Sequence, residues 1–120
     1  MAKIFQVKDA AHTQTDRGTT YHLLNEAMGA QRVGVMLIDL APNLPASGGA
    51  HYHRTRESAY IVLQGSATLR LNGAEHHLTA NTVVFLAPGD RHSITRTGPE
   101  GFKMMEVYAP LDPDRVDVSE

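Results

Sequence analysis

Residues 48–92 read GGAHYHRTRESAYIVLQGSATLRLNGAEHHLTANTVVFLAPGDRH, and the turns inside this stretch decide the fold class. Asn72-Gly73 is the strongest short turn signal in the chain, because both residues accept positive φ and fit the centre of a two-residue hairpin loop. It sets Leu71 opposite Ala74 and Arg70 opposite Glu75, so that opposite charges share a face. Gln64-Gly65 reads as a second turn, pairing Val62 with Ala67, Tyr60 with Leu69 and Ser58 with Leu71 along an inner face. The other face of the same run carries Ala59, Ile61 and Leu63, which are also apolar. A strand apolar on both faces is covered on both. Two covers are open: a second subunit, which makes the chain a homodimer and is the expectation carried forward, or the N-terminal strand.

Outward from this stretch the pattern repeats. Candidate strands are Ile4–Val7, Thr20–Leu24, Arg32–Leu40, Ser58–Gln64, Ser66–Leu71, Glu75–Leu78, Thr82–Leu86, Ser93–Thr97 and Phe102–Tyr108. Many short strands with regular turns predict an all-β sandwich or barrel. No segment carries a helical stripe, and Asn25–Gly29 has room for one turn of helix at most. The 120 residues predict a single domain over 1–120, with a core barrel at about 32–108. The tail from Pro110 to Glu120 is polar and is expected to wrap loosely or fray.

Composition removes several function classes. There is no cysteine, hence no disulfide, thiolate ligand or cysteine nucleophile. Eleven Lys and Arg against 13 Asp and Glu give a formal charge of -2, with no basic excess to hold nucleic acid or an anionic membrane. Met1–Ala10 lacks the pattern of a signal peptide, and no apolar run approaches the ~20 residues of a membrane span. The expectation is a soluble cytoplasmic protein with a small-molecule ligand.

His51-Tyr52-His53 follows a loop over Asn43–Ala50 that holds Pro45, Gly48 and Gly49. On a strand, residues i and i+2 point the same way at roughly 7 Å, so the two imidazoles can converge on one metal. His92 follows Pro88-Gly89, a turn that fixes its backbone at a strand entry. A local pair plus one distant ligand is a common way to bind a metal, because the distant ligand ties the site to the fold.

These residues resemble the cupin superfamily. Its first motif is Gly, five residues, His-x-His, three or four residues, Glu, six residues, Gly; here it reads GGAHYHRTRESAYIVLQG, Gly48 to Gly65. Its second is Gly, five residues, Pro-x-Gly, two residues, His, three residues, Asn; here it reads NTVVFLAPGDRH, Asn81 to His92, with the hairpin SATLRLNGAEHHL between. The resemblance implies a double-stranded jelly-roll barrel with metal ligands near His51, His53 and His92. The family's glutamate ligand falls on Ser58 counted back from Gly65 and on Glu57 counted on from His53. The hairpin register puts Ser58 inside, so Glu57 reaches a metal only through a bulge. Asn81 replaces a glycine but also tolerates positive φ.

The expected cofactor is one divalent transition metal (iron, zinc, nickel, manganese or copper) on His51, His53 and His92, with Glu57 as an additional ligand. Three neutral imidazoles leave the full +2 charge on such an ion and suit a Lewis acid facing an anionic substrate. Tyr60 is expected to face inward, as a proton donor, a substrate contact or a core aromatic. Glu106 is a fourth ligand or a general base if its face is interior; buried, it needs a partner, and the default is outward. Arg32, Arg54, Arg91 and Arg96 are further candidates to hold an anion. His76 and His77, adjacent on a strand, cannot share a metal. Two functions stand open: a metal-dependent dioxygenase, isomerase or lyase acting on a small polar or anionic metabolite inside the barrel, and a non-catalytic binding or sensing cupin. An acid or base beside the metal discriminates them.

Overall fold

The computed structural model describes residues 2–46 and 49–119; Gly48, the first residue of the quoted motif, lies outside them. The strands are β1 (Ala11–Thr15), β2 (Gly18–Leu24), β3 (Gly34–Leu40), β4 (His51–His53), β5 (Glu57–Leu71), β6 (Ala74–Thr79), β7 (Val83–Leu86), β8 (His92–Ala109) and β9 (Arg115–Asp117). All pairs are antiparallel. The two long strands, β5 and β8, form the spine: β3 flanks β8, β6 and β7 flank β5, and β2 and β1 extend the sheet beyond β3. The fold is the jelly-roll barrel expected from the sequence. Among the described residues, no helix is long and apolar enough to cross a membrane.

The Asn72-Gly73 hairpin forms in the expected register, with Leu71 opposite Ala74 and Arg70 opposite Glu75. Both turn residues have positive φ, 49° and 86°, and Arg70 Nη2 donates to Glu75 Oε1 at 3.2 Å. Gln64-Gly65, in contrast, is not a reversal. The chain continues through it as β5, because β8 pairs with both halves of the strand, Glu57–Val62 and Ala67–Leu71. Gly65 has φ of 75° and Gly101 of 79°, and a Cβ on Gly65 would overlap the Gly101 carbonyl oxygen. A lone glycine here lets two paired strands bend together, where a hairpin needs two turn residues. The inward set read from that turn still holds in its main part: Ser58, Tyr60, Val62, Ala67 and Leu69 are buried, and Leu71 is partly buried against the core.

The core packs Tyr60, Val62, Ala67, Leu69, Leu78, Leu86, Phe102 and Met104 together. Outside it, the register lines up two apolar rows across the sheet, Leu37–Met105–Ile61–Val83 and Val35–Val107–Ala59–Phe85. Val83 and Phe85 remain 66% and 59% exposed.

Two further expectations are corrected at the ends. Ile4–Val7 is not a strand: Ile4 is fully exposed, and Val7–Asp9 is a 3-10 turn. The N-terminal strand is β1, which pairs with β2 at the sheet edge and so covers no face. Its five residues are all exposed, which leaves no alternation to read. The C-terminal tail does not fray: β9 pairs with β4, setting His51 opposite Asp117 and His53 opposite Arg115.

Candidate metal centre

β4 and the start of β8 bring the three histidines together. His51 and His92 are cross-strand partners, and His53 follows two residues along β4 on the same side. One ring nitrogen from each of the three lies within 4.8 Å of the others, and the ring centroids are 4.3 to 5.8 Å apart. Pro88-Gly89 does what its sequence suggests. Gly89 has φ of 90° and donates from its N–H to the His53 carbonyl at 2.9 Å, so the turn that launches β8 is tied to β4.

Each imidazole is oriented by its Nδ1. His51 donates to the Gly49 carbonyl, His92 to the Asp90 carbonyl and His53 to the Asp114 carboxylate, each at 2.8 Å. All three partners are acceptors, so Nδ1 carries the proton and the Nε2 lone pair is left for the cluster. Burial pushes the His92 pKa down to about 4, against the Asp90 carbonyl and with help from His51, His53 and Arg115. Burial likewise lowers His51, against the Gly49 carbonyl. Imidazoles tied at Nδ1, with burial favouring the neutral form at His51 and His92, are the kind of donor set that a divalent transition metal takes, so these residues fit the ion that the sequence implies.

The cluster opens into a cavity of about 550 Å³ inside the barrel. Its lining combines apolar Met36, Ile38, Leu40, Ile94 and Met104 with polar Tyr60, Glu106, Arg56, Asp114 and Arg115. Glu106 faces inward, correcting the outward default. It pairs with Tyr60 across β8 and β5 and is 8% exposed. Burial raises its pKa to about 7, opposed by the Arg56 charge and a hydrogen bond from Ser58. Ser58, at the position where the motif suggests a glutamate, is thus the partner that a buried Glu106 needs. Glu106 shares the cavity but is not among the atoms gathered within 4.8 Å.

Tyr60 lies inward, 5% exposed, with its ring 6.2 Å from that of His92. Burial, then the Glu106 charge, raises its pKa, so its hydroxyl stays protonated. Glu57 is not brought to the cluster. β5 begins at Glu57 with no bulge before Val62, so strict alternation turns Ser58 and Tyr60 inward and leaves Glu57 exposed. Arg32, Arg54, Arg91 and Arg96 are exposed and line no part of this cavity; His76 and His77 are exposed on β6.

The residues missed from the sequence are Arg56, Asp114 and Arg115. The signal for the segment carrying the last two was the alternation Arg115-Val116-Asp117 just after Asp114, too short to set apart from loop. Asp114 Oδ2 accepts from Thr55 N–H at 2.8 Å, Thr55 Oγ1 at 3.0 Å and Arg56 N–H at 2.8 Å. Burial alone would raise the Asp114 pKa; these bonds and the one from His53 outweigh it and hold the carboxyl below the usual carboxylate range.

Comparison with known proteins agrees with this fold. The family described as Cupin domain matches residues 36–108. A tetracenomycin polyketide synthase protein, TcmJ of Streptomyces glaucescens, is 29% identical over 108 residues, covering 89% of this chain and 71% of the relative. An uncharacterised conserved protein with a double-stranded β-helix domain from Klebsiella pneumoniae superposes with a TM-score of 0.79 at 21% identity over 100% of both chains. The polyketide cyclase RemF of Streptomyces resistomycificus gives 0.78 at 24% identity, over 100% of this chain and 87% of that one. The chain belongs to the cupin family.

Proposed function

We propose that this cupin is an enzyme that holds one divalent transition metal on His51, His53 and His92. Its substrate is a small, carbonyl-rich metabolite of the polyketide kind, and Glu106 moves the proton. The observation that carries the reading is the orientation of the three imidazoles, each tied at Nδ1 and leaving Nε2 towards a cavity of about 550 Å³. The similarity to TcmJ supports the substrate class. So does the lining, which mixes apolar side chains that suit a carbon skeleton with polar ones that suit its oxygens. A bound metal supplies Lewis acidity to a carbonyl oxygen.

The chain's own residues supply the rest. With a pKa of about 7, Glu106 is poised to take a proton from a carbon between two carbonyls and return it elsewhere. That proton movement enolises the chain and prepares it for isomerisation or ring closure. Tyr60, protonated, offers a hydrogen bond to a developing enolate. The interior acid beside the cluster favours an enzyme over a pure binder. The test is hydrogen–deuterium exchange at the central carbon of a soluble β-diketone probe. Catalysis is expected to rise with pH through about 7, as Glu106 ionises, and to fall roughly 10²- to 10⁴-fold in Glu106→Gln. Exchange unaffected by this substitution would contradict the assignment.

We also propose that the outer sheet face pairs with the same face of a second copy. Val83 and Phe85 are exposed, and Phe85 forms one side of a shallow depression of about 190 Å³ whose other lining includes Val33, Ala59 and Val107. A knob and a hole on one face suit an isologous contact. At the edge of the apolar rows Asp39 and Lys103 are register partners, so a second copy meets balanced charge at a polar rim.

A further inference from the structure

The three imidazoles are not anchored alike. His51 and His92 each bond a backbone carbonyl two residues earlier, Gly49 and Asp90. Their anchors come with the local chain. His53 instead bonds a side chain 61 residues away, Asp114, which lies beyond the part of the chain matched to the family, 36–108. The segment carrying Asp114 is strapped down at many points. Arg54 N–H donates to the Asp114 carbonyl at 3.2 Å, and Val118 N–H to the Ala50 carbonyl at 3.0 Å. Arg56 reaches the Pro110 and Leu111 carbonyls at 3.3 and 3.2 Å.

We infer that Asp114 is a positioning residue: it locks His53 in the Nδ1–H tautomer and so keeps the Nε2 lone pair facing the cavity. The argument rests on which of its two oxygens is committed. Oδ2 faces two backbone N–H groups, of Thr55 and Arg56, which can only donate. An acceptor must therefore occupy that position. Oδ1 alone is left to meet His53, and a carboxylate oxygen there accepts, so Nδ1 must donate. His53 is oriented towards the cavity by the segment that leads into β9, outside the part of the chain matched to the family.

The inference deepens the proposed metal site, and its critical substitution is Asp114→Asn. The amide must give its oxygen to the Thr55 and Arg56 N–H groups, so its NH₂ turns to His53. Nδ1 then has to accept, the ring proton moves to Nε2, and the lone pair facing the cavity is lost. This differs from Asp114→Ala, which frees the tautomer but removes the acceptor from Thr55 and Arg56 and loosens the strap.

The tautomer is read directly in metal-free protein by long-range ¹H–¹⁵N correlation of the His53 ring. The expected result is Nδ1–H in the native chain and Nε2–H in Asp114→Asn. An Nε2–H ring in the native protein, or an unchanged ring in the variant, overturns the inference, and the native spectrum suffices should the variant fail to fold. Titration with Co²⁺ then reads the consequence. Asp114→Asn is expected to bind roughly 10- to 100-fold more weakly, the range for losing such a supporting partner. A switched tautomer with unchanged Co²⁺ affinity would leave the role of Asp114 intact and remove His53 from the ligand set.

Discussion

The two faces of the β3–β8–β5–β7 sheet both depart from the usual arrangement: inside, polar groups stand among the apolar core, and outside, apolar rows stand where polar residues are usual. Inward, Ser58, Tyr60, Glu106 and the histidines place hydrogen-bonding and ionisable groups inside the barrel. Outward, Val35, Leu37, Ala59, Ile61, Val83, Phe85, Met105 and Val107 form unbroken apolar rows. An antiparallel sheet with one solvated face normally alternates apolar-in with polar-out. Each departure opposes stability taken alone. Burying a carboxyl beside a tyrosine is costly, and leaving Phe85 in water forgoes burial worth about 2 kcal/mol. The difference teaches that the inner face is built for a ligand and the outer one for another surface.

The largest expected effect breaks the outer half of that comparison. Phe85→Glu puts a charge at the β7 end of the apolar rows, on their most protruding aromatic. A twofold contact carries the change twice, and an aromatic anchor contributes about 2 kcal/mol or more, so self-association should weaken roughly a thousandfold. Sedimentation equilibrium of the native chain and the variant checks this. A monomeric native chain, or a variant that still dimerises, would remove the self-pairing reading. The inner cavity should be untouched, with metal binding as in the native chain.

A smaller effect probes the inner face. Glu106 has its folded pKa raised from 4.5 to about 7, so the folded state holds the proton more tightly than the unfolded one. Its contribution is fullest below pH 4.5 and declines as pH rises towards 7. The loss amounts to roughly 3 kcal/mol across that window and stays constant above it. Urea unfolding of Glu106→Gln should lack this decline, becoming the more stable protein relative to the native chain at pH 8 than at pH 4.5. Parallel pH profiles would place Glu106 in a wetter setting than the sheet register implies.

What the sequence disclosed follows the range of the interactions. The Asn72-Gly73 register was legible because the turn itself dictates positive φ and sets Arg70 against Glu75. His51 and His53 were legible as an i, i+2 pair, and His92 through the Pro88-Gly89 turn before it. Glu106 was ambiguous because its facing depends on the pairing of β8 with β5, which no local turn sets. Glu57 failed as a ligand for the same reason that Ser58 faces inward, strict alternation from the first residue of β5. Gly65 misled because a bend and a reversal both use a glycine, and only the continuing partner strand separates them. Asp114 was hidden in a polar, proline-containing tail whose order comes from hydrogen bonds to β4 and the Thr55-Arg56 backbone, without an apolar pattern to announce it.

The inner face rests finally on the metal. The direct measurement is elemental analysis of untagged protein, purified without oxygen or chelator, beside the His51→Ala/His53→Ala double variant. One transition-metal ion per chain in the native protein, lost in the variant, is the predicted result. A native protein that holds none, even after reconstitution with Fe²⁺, Zn²⁺, Ni²⁺, Mn²⁺ and Cu²⁺ in turn, would contradict the account.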